Sequence, residues 1–219
     1  MHLGFVEIVS DDKIDVKMQY PIMGMKYAEE SCLMRKEAAE KLYEAAANLP
    51  AGYRFRIWDA WRPFALQHEL YEVNYDHIVR EFHLENVSEE ERRAVIRGFV
   101  SEPIPDRKQP PVHTTGGAID LTILDENGNE LDMGTGFDDF TEATRTDYFE
   151  SGEGNAQARD NRRLLYSLMT EAGFTNLSSE WWHYDYGDRF WAQNKELPAI
   201  YEGVFTKEEI DGNGEFYKG

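Results

Sequence analysis

The stretch Ala118-Ile119-Asp120-Leu121-Thr122-Ile123-Leu124-Asp125-Glu126-Asn127-Gly128 decides the fold. Ala118, Ile119, Leu121 and Ile123 form an apolar strand, and Asn127-Gly128 is a dipeptide that tight hairpin turns favour. The chain is therefore expected to fold back toward Leu131 and Met133, which makes the sheet antiparallel at this point. Upstream, Tyr53 to Trp58 alternates, with Tyr53, Phe55 and Ile57 on one face and Arg54 and Arg56 on the other, a second strand. Before it, Leu33, Ala38, Ala39, Leu42, Tyr43, Ala46 and Leu49 fall near helical spacing and predict a helix from about Ser31 to Asn48, ended by Pro50-Ala51-Gly52.

Arg62-Pro63 opens the next segment, since proline suits a first helical turn, and apolar spacing carries that helix to about His83. Ser88-Glu89-Glu90-Glu91 reads as a helix start, with a serine cap and a glutamate three positions on. Residues 101–109 have turn composition. Leu164, Leu165, Leu168, Met169 and Ala172 predict an amphipathic helix with Gly173 as its stop. No repeat of solenoid period is present. Helices alternating with strands, one of them in a hairpin, predict an α+β fold. We expect a small, mostly antiparallel sheet flanked by helices, in one domain over residues 1–219.

The chain carries 42 acidic and 23 basic side chains among 219 residues, a net charge of −19. That sign excludes a nucleic-acid backbone or an anionic membrane surface as partner, because both require clustered Lys and Arg. Hydrophobic residues at 41% and aromatics at 13% exclude a disordered acidic tail. A single cysteine, Cys32, can form neither an internal disulfide nor a thiolate cluster, and reads as a small buried residue near a helix start. With no basic-then-apolar leader and no apolar run near 20 residues, the expected location is cytoplasmic.

Two segments combine metal-ligand residues with rigid local structure. In the first, His113 follows a proline-rich loop and Asp120 sits inside the apolar strand; Gly116-Gly117 lets the backbone turn so that the two converge. A carboxylate among apolar neighbours must meet a cation or several donors, so the choice here is between a metal ligand and a hydrogen-bonded strand-end Asp. In the second, Glu180 and His183 flank Trp181-Trp182, and a bend would bring both into one cavity walled by the tryptophans. Catalytic zinc takes three protein ligands and leaves a fourth position for water, while a carboxylate off the metal serves as general base. His113, Asp120 and His183 would be the ligands of one zinc in a cleft at the sheet, with Glu180 the base. A cation is needed where the oxyanion develops. Arg62, in Trp58-Asp59-Ala60-Trp61-Arg62-Pro63, either meets that need or is a surface residue paired with Asp59.

These blocks occur in order: Trp58 to Pro63, His113 with Gly117 to Thr122, Met133-Gly134-Thr135-Gly136-Phe137-Asp138, and Glu180 to Tyr184. Together they resemble the zinc D-alanyl-D-alanine dipeptidases of the VanX type, within the wider group of zinc D,D-peptidases, from about Leu33 to Tyr186. The resemblance implies zinc on His113, Asp120 and His183, Glu180 as base, Arg62 stabilising the transition state, and Asp138 receiving the free amino group of a D,D-dipeptide. A free α-ammonium does need a fixed counter-ion, which gives Asp138 a physical reason. The chain departs from the family at Pro111-Val112, where one or two serines usually precede the metal histidine. It also departs at Met18 to Gly24, where the family carries Tyr-Ala and then Asn-Phe-x-Gly. The alternatives are a D,D- or L,D-carboxypeptidase acting on longer cell-wall peptides, or a non-catalytic metal-binding relative. His68, His77 and His83 read as ordinary helix-face residues. Asp125 to Asp132 and Asp211 to Glu215 read as polar turns, lacking the glycine and terminal glutamate of a calcium loop.

Overall fold

The computed structural model describes residues 4–139, 141–151 and 154–211, which form two β-sheets with helices packed against them. The main sheet has five strands: β2 (Ile14–Val16), β4 (Arg54–Asp59), β5 (Ala118–Leu124), β7 (His183–Asp185) and β6 (Thr175–Asn176), in the order β2-β4-β5-β7-β6. β2 runs parallel to β4, and the other pairings are antiparallel. A second, two-stranded antiparallel sheet joins β1 (Phe5–Ile8) to β3 (Cys32–Arg35).

On one face of the main sheet, Phe55, Ile57, Ile119, Leu121, Ile123 and Tyr184 pack under α2 (Lys36–Ala47) and α5 (Ala156–Glu171), which contribute Ala38, Leu42, Ala46, Leu165 and Met169. Strand periodicity sends Asp120 and Thr122 to the other face. β4 would place Asp59 on the core face beside Ile57. A bulge between Ile57 and Asp59 shifts its phase by one residue, so that Ile57 pairs with Leu121 but Asp59 pairs with Asp120. Across the next ladder Asp120 pairs with His183. Asp59, Asp120 and His183 thus form a polar row across three strands, on the face away from the helices.

α1 (Gln19–Ile22) and α3 (Phe64–Glu81) approach that polar face, with Tyr20, Leu66 and Leu70 buried together. α4 (Glu89–Ile96) follows α3 and begins with the expected capping box: Ser88 Oγ accepts from Glu91 N, and Glu91 Oε2 accepts from Ser88 N at 3.0 Å. α6 (Arg189–Lys195) starts on Asp188, which accepts from Phe190 N and Trp191 N, and α7 (Lys207–Asp211) closes the described chain. Among the described residues, no helix is long and apolar enough to cross a membrane.

The mostly antiparallel α+β sheet, its hairpin strand and the helices at 36–47, 64–81, 89–96 and 156–171 agree with the sequence reading. One element differs. The helix expected from Ser31 begins only at Lys36, and Cys32–Arg35 is strand β3, fully buried against β1. Its apolar run satisfies either period, and pairing with Phe5–Ile8 decides for the strand. Cys32 is buried there, and burial pushes its thiol well up, as expected of a packing residue. The return after Asn127-Gly128 is an isolated bridge between Leu124 and Glu130; the Asp125 carboxylate accepts from Asn127 N and Asn129 N. The second calcium-like stretch lies largely outside the described residues, as does the tail 212–219.

Candidate metal centre

His113 reaches the polar row from a 3-10 turn, Val112–Thr115, that ends on Gly116 at φ 76°. Both glycines of the sequence motif are sterically required. A Cβ on Gly116 would lie 2.3 Å from the Phe5 ring, and one on Gly117 would lie 2.2 Å from Tyr186 O. Arg35 clamps the turn from β3, with Nε donating to Thr115 O at 2.7 Å and its backbone N to Gly116 O at 2.8 Å.

The three predicted ligands converge. His113 Nε2 lies 3.2 Å from His183 Nδ1, His183 Nδ1 lies 2.9 Å from Asp120 Oδ1, and His113 Nε2 lies 3.3 Å from Asp120 Oδ2. Two ligands about 2.05 Å from a zinc at a tetrahedral angle sit about 3.3 Å apart, so the observed spacing suits that ion. The outward nitrogens are also assigned. His113 Nδ1 faces Ala60 O at 2.8 Å, a contact that requires hydrogen on Nδ1 and leaves the Nε2 lone pair on the cavity side. His183 Nε2 faces Asp185 Oδ1 at 2.9 Å, a carboxylate partner that orients the ring with Nδ1 toward the cavity. His113, Asp120 and His183 are all buried. Burial raises the Asp120 carboxyl, but His113 and His183 outweigh it and hold the group below the usual carboxylate range. Burial opposes charge on His183, yet Asp185 and Asp120 push its pKa well up.

Glu180 occupies a bend, with its N–H on Leu177 O at 2.9 Å and its carbonyl accepting from His183 N at 3.3 Å. Asn176 Nδ2 donates to both Glu180 O and His183 O, fixing the two ends of the bend. The carboxyl opens into the same cavity as the three ligands. Burial pushes it up to about 8, with Asp120 and Asp138 adding and His183 opposing. Arg62 is paired with Asp59, but it is buried rather than on the surface. Nε donates to Asp59 Oδ2 at 2.9 Å, Nη1 to Gln67 Oε1 at 2.8 Å and Nη2 to Tyr20 OH at 3.2 Å, while Nη2 stands 3.7 Å from Asp120 Oδ2. Burial works against its charge, but Tyr20, Asp59 and Asp120 push its pKa above the ordinary arginine value.

Asp138 adopts φ 55°, a left-handed conformation uncommon outside glycine, and accepts from Tyr20 OH at 2.9 Å. Burial raises its carboxyl to about 7, with Asp120 adding and Arg62 opposing. Its loop is held by the buried Arg162, which donates to Met133 O, Arg145 O and Ala143 O. His113, Asp120, His183, Glu180, Arg62 and Asp138 all line one cavity of about 110 Å³. The tryptophans do otherwise: Trp181 and Trp182 pack into the core with Trp58 and Phe137, behind the site, and do not wall the cavity. His68 and His77 are exposed on α3, as expected, whereas His83 lies past the end of that helix, exposed at φ 55°.

Tyr20, Gln67 and Asp185 contact the site residues but were not singled out by the sequence, which named Asp59 only as a partner of Arg62. Asp185 was within reach, because two residues from His183 on a strand is the same face. Tyr20 and Gln67 carry no local signal, since only the tertiary fold brings them to Arg62.

A family model described as D-Ala-D-Ala dipeptidase, peptidase M15, matches residues 3–199 of the chain. A D-alanyl-D-alanine dipeptidase of Synechocystis is 29% identical over 159 residues, covering 67% of this chain and 64% of that protein, just under two thirds of its length. The protein of that name from Escherichia coli is 33% identical over 73% of this chain and 69% of its own, and the one from Enterococcus faecalis 32% identical over 68% and 70%.

Proposed function

The chain belongs to the peptidase M15 family of D-Ala-D-Ala dipeptidases, and on that premise we propose that it hydrolyses D-alanyl-D-alanine, or a close D,D-dipeptide, with one zinc per chain. The observation that carries the proposal is the convergence of His113 Nε2, Asp120 and His183 Nδ1 at 2.9–3.3 Å beside Glu180 in one small cavity. Zinc on these three groups would supply Lewis acidity, polarising the scissile carbonyl and acidifying a water.

The remaining work falls to the chain. Asp138 receives the substrate ammonium, with Tyr20 OH fixing the carboxylate. Glu180 takes a proton from the attacking water as the new carbon–oxygen bond forms. It returns that proton to the amide nitrogen as the carbon–nitrogen bond breaks, releasing two free amino acids. Burial raises the Glu180 carboxyl in the metal-free site, and the charge of a bound dication would favour the ionised form that accepts the proton. Arg62, immobilised by Asp59 and Gln67, presents a fixed positive charge to the oxyanion and loses little by reorganising.

Purified protein should hold about one zinc per chain and release D-alanine from D-Ala-D-Ala, with turnover lost on chelation and restored by zinc. An N-acetylated dipeptide should be a poor substrate, because it lacks the charge that Asp138 receives. Faster cleavage of the blocked dipeptide would reject the dipeptidase reading in favour of a carboxypeptidase. Bound zinc without hydrolysis of any D,D-dipeptide would reject the dipeptidase reading and favour a non-catalytic metal-binding relative.

A further inference from the structure

A dipeptide is a zwitterion, and the assignments above supply a counter-ion for one of its ends only. Two arginines line the site cavity, Arg62 and Arg97. Arg62 is committed to Asp59, Gln67 and Tyr20. Arg97, just past α4, places Nε and Nη2 on Glu102 Oε2 at 2.9 and 2.6 Å; among the described residues its Nη1 meets no acceptor.

Ser101 lies four residues further on and is tied into the site. Its carbonyl accepts from Gln67 Nε2 at 2.7 Å, and Gln67 Oε1 in turn accepts from Arg62 Nη1 at 2.8 Å. Arg97 and Ser101 also line a second cavity of about 360 Å³ that adjoins the first, whereas Asp138, Tyr20, Asp120 and His183 do not. The pair therefore marks the end of the site away from Asp138. Val112, beside His113 on the wall, brings only methyl groups.

We infer that Arg97, on the wall it shares with Ser101, receives the carboxylate of the dipeptide, so that the cavity reads both charged ends. The inference rests on the dipeptidase reading and deepens it. With Nε and Nη2 held by Glu102, the guanidinium plane is already oriented, and Nη1 can donate to the incoming carboxylate without losing the existing pair.

The test compares D-Ala-D-Ala with its C-terminal amide, D-Ala-D-alaninamide, on the zinc-loaded protein. Arg97→Gln should lower kcat/KM for the acid roughly ten- to a hundredfold and leave the amide within about twofold, because only the acid makes the charge-assisted bond. In a Glu180→Gln background, where turnover is removed, calorimetric affinity for the acid should fall with Arg97→Gln by a similar factor. Glu102→Gln breaks the same ion pair but keeps the guanidinium, and should retain the preference for the acid. An unchanged acid-to-amide ratio in Arg97→Gln overturns the inference, and so does an equal collapse in Glu102→Gln, which would mean displacement of the segment. If the unaltered protein turns over neither compound, the dipeptidase reading fails first. Turnover with an unmoved ratio sinks the carboxylate site alone.

Discussion

Opposite charges meet at similar distances in two regions of this molecule, with different consequences. On α4, Arg93 Nε lies 2.9 Å from Glu89 Oε1. On the sheet, Arg62 lies 2.8 Å from Asp59, and His183 lies 2.9 Å from both Asp120 and Asp185. The α4 pair is half in water, where solvent screens it and the unpaired state is nearly as well solvated. The sheet groups have lost water, so each must be satisfied by partners or shift its proton, and burial pushes Glu180 up to about 8 and Asp138 up to about 7. Distance does not distinguish the regions; desolvation does. The cluster of perturbed acids lies where chemistry would need it.

Each prediction tests that contrast. The largest effect belongs to the proposed base: Glu180→Gln should lower kcat by about 10²–10⁴-fold while zinc content stays near one per chain. Retained turnover with metal bound would refute the assigned role. Next is the outer partner of a ligand. Asp185→Asn should weaken zinc binding by about 10–100-fold in a chelator competition, by loosening the ring of His183; unaltered affinity would reduce Asp185 to a packing residue.

A third measurement concerns the metal-free protein. The folded-state pKa of Glu180 is raised, so between about 4.5 and about 8 the folded chain binds more protons than the unfolded one, and stability falls as pH rises through that window. Glu180→Gln removes this loss. In the metal-free form it should be the more stable protein at pH 8, on the order of 3 kcal/mol, with the gap closing near pH 5 in urea midpoints. A gap that widens toward acid pH would reverse the sign and contradict it. The smallest effect is on α4, where Glu89→Gln should leave turnover and the melting transition within measurement scatter.

What was legible in the sequence follows the same division. His113, Asp120, Glu180 and His183 could be read because each sits in a short block whose local geometry, a glycine turn or a strand with one charged residue, constrains the chemistry. β5 and the capping box of α4 were legible for the same local reason. Cys32–Arg35 was misread because its apolar run suits either period, and its partner β1 lies more than twenty residues upstream. Tyr20 and Gln67 were invisible, since a tyrosine in a four-residue helix and a glutamine in a long one gain meaning only where the chain brings them to Arg62.

The bulge at Trp58 gives β4 a property that neither half of the strand has alone. An evenly alternating strand can slide by two residues and still present apolar groups to the core. β4 cannot, because its alternation reverses once: Phe55 and Ile57 must face the helices while Asp59 must face Asp120 and Arg62. A slip in either direction would drive a carboxylate into the core or an isoleucine among the charges. The same irregularity that delivers Asp59 to the site therefore guards the chain against mispairing as it folds.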